Sequence, residues 1–363
     1  MTTRRAFLAG GASVALGAMT PAAAANTESL AKLAARSGRF FGAAITSSTL
    51  REGGRYAELF DDECSVWVPE WEVKWGALAK SVTGKPDFRS FDGIAMAASR
   101  RGKRMRGHAL VWHEHLPEGA ERLSSRSDWE TYVVPHIRTV AASHQNSVFH
   151  WDVVNEPIEP NDGGADGMRR TPFYRMLGAD YVAEAFRLAH DATPACRLYL
   201  NEYSLCYDED WQEKRRTALL QLIETLLAKN VPLHGIGIQG HLDARWSFSE
   251  RVFENFLRQI ADFGLDIAVT ELDVREADAA SGMTMPQRQQ RAADEVKKIV
   301  SVALDNSALT GVVTWGLADH ESWLRKTRPI PDNQGLPYDD RLKPAPMRTV
   351  LADLFAGAKT RHG

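Results

Sequence analysis

Cysteine is scarce. The 363 residues hold only Cys64, Cys196 and Cys206, too few for a disulfide-stapled scaffold, and three thiols cannot all pair within one chain. Their spacings fit neither a zinc site nor a C-x-x-C redox pair, so inert buried thiols are the reading. Cys196 and Cys206 flank a predicted strand. At about 3.3 Å per residue it separates them well beyond the ~7 Å Cα limit of a disulfide, and only a Cys64 bridge stays open. A surplus of one charge is also missing: Lys plus Arg number 44 and Asp plus Glu 47, a net charge of -3, which argues against a nucleic-acid partner. Beyond the N-terminal segment no apolar run approaches the roughly 18 residues of a membrane helix. No H-E-x-x-H is present, Gly53-Gly54 lacks the spacing of a dinucleotide-binding turn, and no linker, repeat or low-complexity tract interrupts residues 26–363.

What is present begins with an export pattern. Arg4 and Arg5 form a basic start, Ala6 to Met19 a short apolar stretch, and Ala22 to Ala25 small residues suited to cleavage. Residues 1–25 are therefore expected to be a signal peptide, twin-arginine-like in Arg4-Arg5-Ala6-Phe7-Leu8. An exported bacterial protein, periplasmic or extracellular and without a membrane anchor after cleavage, is expected.

Within residues 26–363, short β-rich runs alternate with longer amphipathic segments, the pattern of a parallel sheet covered by helices. Eight runs are predicted as strands: Phe40 to Ile45, Ser65 to Val68, Met105 to Trp112, Phe149 to Val154, Leu198 to Tyr203, Gly235 to Gln239, Ile267 to Glu271 and Val312 to Trp315. Helices are predicted over Asp180 to His190, Trp211 to Ala228, Ser249 to Phe263 and Pro286 to Val302, with breaks at Asn230-Val231-Pro232 and Gly264. Eight such units make an α/β chain, a single (β/α)8 TIM barrel forming one domain.

Barrel enzymes build their sites at the carboxyl ends of strands. There Trp151-Asp152-Val153-Val154-Asn155-Glu156 ends one run and Thr270-Glu271-Leu272-Asp273 another. Two carboxyl groups on one rim suit glycosidic hydrolysis, in which one protonates the leaving oxygen and the other meets the oxocarbenium-like centre. A single such Glu is more simply a strand-end partner for an Arg. Two beside aromatic residues point to chemistry. The third run and the residues just after it carry His108, His113 and His115, a metal-like cluster; however, His108 and His113 are expected on opposite faces of a strand, and imidazoles also donate to sugar hydroxyls. Trp112, Tyr203, Trp315 and Trp323 end strands or follow them, offering faces for sugar rings or simply filling the core.

The ordered set Pro69-Glu70 with Lys74-Trp75, Arg106-Gly107-His108 through Trp112-His113, Trp151 to Glu156, Asn201 with Tyr203, Gln239 with His241, Thr270 to Asp273, and Thr314-Trp315-Gly316 with Asp319 and Ser322-Trp323 resembles glycoside hydrolase family 10, the retaining endo-β-1,4-xylanases, from about Phe40 to Leu354. The resemblance implies a TIM barrel acting without metal or organic cofactor on xylan or xylo-oligosaccharides, expected to work as a monomer. It implies Glu156 as general acid/base and Glu271 as nucleophile, with a covalent glycosyl-enzyme. Asn155 would bond the sugar 2-hydroxyl, and His241, held by Asp273, would orient Glu271. Glu70, Lys74 and His108 would bind sugars on the glycone side, walled by Trp112, Trp315 and Trp323, with Gln239 nearer the nucleophile and Tyr203 on the leaving-group side. Three positions depart from the family pattern: Trp71 stands for Asn, His115 for Gln and Gly119 for Trp, all expected on the glycone side. A decorated xylan, a short xylo-oligosaccharide or another β-glycoside is thereby an alternative substrate. A non-catalytic carbohydrate-binding barrel and a metal-dependent hydrolase are the rivals from other classes.

Overall fold

The structure is a computed structural model that describes residues 28–144, 146–276, 282–326, 330 and 332–361. The expected signal peptide, 1–25, lies outside the described residues. Eight parallel strands close into a barrel: β1 (Phe40–Ile45), β2 (Val66–Pro69), β3 (Arg104–Val111), β4 (Val148–Asn155), β5 (Arg197–Glu202), β6 (Gly235–Ile238), β7 (Asp266–Arg275) and β8 (Leu309–Thr314). β1 pairs with β2 and β8, and β6 pairs directly with β7, so the ring has no free edge. A further short strand, His241–Asp243, pairs with the far end of β7 and places His241 opposite Asp273. That pairing is why β7 continues four residues past the expected end at Glu271. β3 stops at Val111, one residue short of the expected end, which leaves Trp112 in the following loop.

The helices follow from side-chain caps and an apolar stripe. Ser249 accepts from the Val252 N–H to open helix Glu250–Asp262, which buries Phe253, Phe256, Leu257 and Ile260 at helical spacing. Thr284 and Gln287 form a capping box at the start of Met285–Asp305. Asp180–Ala192 and Asp210–Ala228 complete the predicted four. Among the described residues no helix is long and apolar enough to cross a membrane. Cys64, Cys196 and Cys206 are all free and buried, so the Cys64 bridge left open by the sequence is not formed.

Alternation divides the strand residues between two apolar layers. Phe41, Ala43, Ile45, Trp67 and Val312 face the helices, whereas Phe40, Ala44, Val66, Val68, Val313 and Trp315 form a separate cluster inside the barrel. On β3 and β4 the interior turns polar: Arg106, fully buried, forms an ion pair with Asp152, which also bonds His108 at 3.1 Å. The Trp151 ring lies on Gly107, where an added Cβ would sit 2.2 Å from its carbons. Gly107→Ala is therefore expected to lower stability by about 1–3 kcal/mol through overpacking. Urea unfolding of the two chains checks this.

Candidate active site

Glu271 leaves the barrel interior on β7 with 4% of its surface exposed. A charged carboxylate at that depth needs partners. Asn201 Nδ2 donates to its Oε1 at 2.6 Å, His241 Nε2 lies 3.3 Å from Oε2, and His108 Nδ1 lies 3.8 Å from Oε1. Burial opposes ionisation, yet His108, His241 and the Lys74 ammonium together hold the Glu271 carboxyl down to about 2. His241 shows the converse: burial disfavours its charge, but Asp273 and Glu271 outweigh it and push the imidazole up to about 10. At neutral pH an imidazolium thus lies between two carboxylates. Asp273 Oδ1 is 2.8 Å from His241 Nδ1, and Asp273 Oδ2 accepts from Trp323 Nε1 at 2.5 Å.

Glu156 follows the last residue of β4 and takes a left-handed backbone, φ 56. For a residue with a Cβ that conformation costs about 1–3 kcal/mol and persists only where neighbours impose it. The Glu156 N–H donates to Asn201 O at 2.9 Å, and Arg169 Nε donates to Glu156 O at 2.9 Å. The side chain then meets two amides: Asn155 Nδ2 at 3.0 Å and Gln239 Nε2 at 2.9 Å both donate to its Oε1. Asn201 joins the two carboxyl groups, since its Nδ2 also donates to Asn155 Oδ1 at 2.8 Å while Thr270 Oγ1 donates to its Oδ1 at 2.7 Å. Gly237 makes room for this amide, because a Cβ there would lie 2.1 Å from Asn201 Oδ1.

Both carboxyl groups open onto a cleft of about 580 Å³. Lys74, His108, Trp112, Asn155, Tyr203, Gln239, His241, Trp315 and Trp323 all line it. Two expected residues do not: Asp273 lies buried behind His241, and Glu70 sits outside the lining, its carboxyl pushed up to about 7 by burial, which Lys74 only partly offsets. His108 and His113, expected on opposite faces, both border the cleft because β3 ends before His113 and the loop turns it inward. Among the described residues no group of three or more His, Cys, Asp or Glu is arranged to hold a metal ion. Trp71 and His115 line the cleft, but Gly119 does not. It precedes the short 3-10 turn Ala120–Arg122 with φ 92, so that departure concerns a turn rather than the cleft wall.

Sequence reasoning missed Arg169 and gave Asn201 no role. Arg169 lines the cleft, and its Nη2 donates to the Tyr203 hydroxyl at 2.8 Å while its Nε holds the Glu156 carbonyl. It lies in an aperiodic loop beside Arg170, which pairs with Asp166 instead, so nothing local distinguishes the two.

The sequence profile of glycosyl hydrolase family 10 matches residues 29–354. Endo-1,4-beta-xylanase 5 of Pyricularia oryzae is 31% identical over 301 residues, covering 82% of this chain and 70% of its own. The crystal structure of native xylanase 10B from Thermotoga maritima superposes with a TM-score of 0.81 at 27% identity, covering 90% of this chain and 98% of that one. Xylanase 10B from Thermotoga petrophila, in complex with xylobiose, gives 0.81 at 26% identity over 93% of this chain and 98% of its own.

Removing the imidazolium tests the electrostatics. In His241→Asn the Glu271 carboxylate loses its cationic neighbour, its pKa rises, and the acid limb of kcat/KM moves about one pH unit or more toward neutrality. An acid limb unchanged in pH–rate profiles on an aryl glycoside would show that His241 does not set the charge of Glu271.

Proposed function

The chain belongs to glycosyl hydrolase family 10, and we propose that it is an exported endo-1,4-β-xylanase, hydrolysing internal β-1,4-xylosidic bonds of xylan with retention. The observation that carries the reading is the asymmetry of the two carboxyl groups. Glu271 is buried and held anionic, as a nucleophile requires, while Glu156 is partly exposed at the cleft, where a leaving group or water can reach it.

In the first step a Glu271 oxygen attacks the anomeric carbon and the bond to the leaving sugar breaks. Glu156 delivers its proton to the departing oxygen, and a glycosyl ester on Glu271 remains. In the second step Glu156, now a carboxylate, takes a proton from water. The resulting hydroxyl group adds to the anomeric carbon and frees Glu271, so configuration is retained over two inversions. Asn201 and His241 keep the Glu271 oxygens aimed throughout, and Asn155 and Gln239, which donate to Glu156 Oε1, also face the cleft, where their amides can reach a sugar hydroxyl. No cofactor enters either step. Export rests on the Arg4-Arg5 pattern, and its test is whether an N-terminally tagged chain loses the tag on translocation in a bacterium.

With soluble glucuronoxylan, native chain should release reducing sugar while folded Glu156→Ala and Glu271→Ala fall by about 10³-fold or more, the scale of losing a nucleophile or its proton donor. Absence of release by the native chain would overturn the xylan reading.

One observation favours a second reading, action on short xylo-oligosaccharides. Lys74 Nζ lies 4.3 Å from the Trp71 ring and 4.5 Å from the Trp112 ring, and His115 touches both indoles, with centroids at 4.7 and 5.2 Å. These four side chains cluster together in the lining of the cleft. The Gly76 N–H, donating to His115 O at 2.7 Å, fixes one loop against the other. Trp71→Asn should then raise kcat/KM on xylan relative to xylotriose. A ratio unchanged in parallel assays would dispose of this second reading.

A further inference from the structure

The loop that leaves β4 with Glu156 closes on itself 13 residues later, at Arg169. Glu159 N donates to Gly167 O at 2.9 Å, Arg169 N donates to Pro157 O at 2.8 Å, and Ile158 bridges Met168 in antiparallel fashion. Arg169 is thereby returned to the residue from which the loop set out, where its Nε donates to the Glu156 carbonyl and its Nη2 to the Tyr203 hydroxyl. Among the described residues no other side chain bonds the Glu156 main chain, which holds φ 56 although the residue has a Cβ. A conformation of that kind persists only where its surroundings impose it.

A guanidinium can fix a carbonyl only if its own position is fixed, and Glu159 with Arg215 does this. Arg215, on helix Asp210–Ala228 and buried, donates from Nη1 to Glu159 Oε2 at 3.2 Å and from Nη2 to Glu202 Oε1 at 2.6 Å. The same Glu159 oxygen lies 3.6 Å from Arg169 Nη2. Glu202 ends β5, fully buried, and its carboxyl also accepts from the Tyr203 N–H at 2.9 Å and the Ile158 N–H at 3.0 Å. Burial pushes that carboxyl up to about 7, and Arg215 and these two N–H groups oppose it. Glu202, Arg215, Glu159 and Arg169 therefore connect the barrel wall to the main chain of Glu156, with carboxyl and guanidinium groups alternating. A planar fork sets direction as well as distance. Closing the loop does not by itself require Arg169, since the main-chain bonds and Arg170 already do so: Arg170 Nη2 donates to Asp166 Oδ1 at 2.8 Å and its N–H to Asp162 Oδ2 at 2.7 Å.

We propose that Arg169, braced by Glu159 and Arg215, is the positioning residue of the proton donor: it holds the Glu156 main chain in its left-handed conformation, so that the carboxyl meets the oxygen of the departing sugar. The proposal rests on the reading of Glu156 as general acid/base. Without the fork, Asn155 and Gln239 still donate to Glu156 Oε1, but the main chain that carries the carboxyl is released on one side. Displacement of a reacting group by about 1 Å costs on the order of 100-fold in rate.

The test is leaving-group dependence. Dinitrophenolate departs without a proton, so kcat/KM on a dinitrophenyl xylobioside is insensitive to where Glu156 sits, whereas phenyl xylobioside needs the proton in place. In Arg169→Met, kcat/KM should fall roughly 10- to 100-fold on the phenyl substrate and less than about threefold on the dinitrophenyl one. Glu159→Gln, which removes the brace and leaves the fork, should show the same split at smaller size. Arg169→Lys supplies a charge without the fork and should recover little of the loss. Equal falls on both substrates, no fall on either, near-complete recovery with Lys, or the same split in Arg170→Met would each overturn the proposal. Thermal unfolding of every variant checks its fold, and if Arg169→Met does not fold, Glu159→Gln carries the comparison. Glu156→Ala is the reference. Should it lose equally on both substrates, the acid/base reading of Glu156 fails and takes the proposal with it; a split there without one in Arg169→Met removes the proposal alone.

Discussion

A carboxylate withdrawn from water sets the terms for the rest of the active site. Glu271 sits at the carboxyl end of a closed barrel, where the low dielectric would keep it protonated unless opposed. The opposition comes from four different parts of the chain: Asn201 on β5, His108 on β3, Lys74 after β2 and His241 on the short strand after β6. His241 keeps its charge because Asp273 stands behind it and Glu271 before it, with Asp273 the larger influence. Remove Asp273 and the imidazole loses its main support for protonation, which weakens the cation beside Glu271. The nucleophile is thus maintained by alternating charges that run back into the barrel wall.

The barrel's interior is partitioned to make this affordable. On the β8–β1–β2 side, small and aromatic residues fill the space as an ordinary core. On the β3–β7 side the filling is polar and fully partnered, with Arg106, Asp152 and His108 in one set and Asn155, Asn201, Thr270 and Glu271 in another. Satisfied networks of this kind position groups more rigidly than apolar packing does, since each member fixes the direction as well as the distance of the next. Glycines enter where that packing leaves no room, as at Gly107 against Trp151 and Gly237 against Asn201.

Much of this was legible in the chain. The run Phe40 to Ile45 coincides with β1 at both ends, and all eight predicted runs fall on barrel strands, because β-rich apolar segments between amphipathic ones have few other ways to bury both faces. Glu156 and Glu271 stood out as polar residues closing apolar strands. Illegible were the features that depend on residues distant in sequence. Arg169 looks like Arg170 until the loop folds and one guanidinium reaches Glu156 and Tyr203 while the other takes Asp166. His113 seemed to face away from His108 because strand alternation was carried past the point where β3 ends.

By itself the sequence determined the barrel, its strand count and the two carboxyl groups on its rim, because period, length and composition are local properties that survive without knowledge of neighbours. The tertiary structure decided that Glu271 is held anionic, which arginine reaches the cleft, that Gly119 lies outside it while Trp71 and His115 close around Lys74, and that Trp246 faces an open cavity beside it. Each of these is a matter of distance between groups remote along the chain, and electrostatic and steric terms act through space, so they exist only once the barrel has closed.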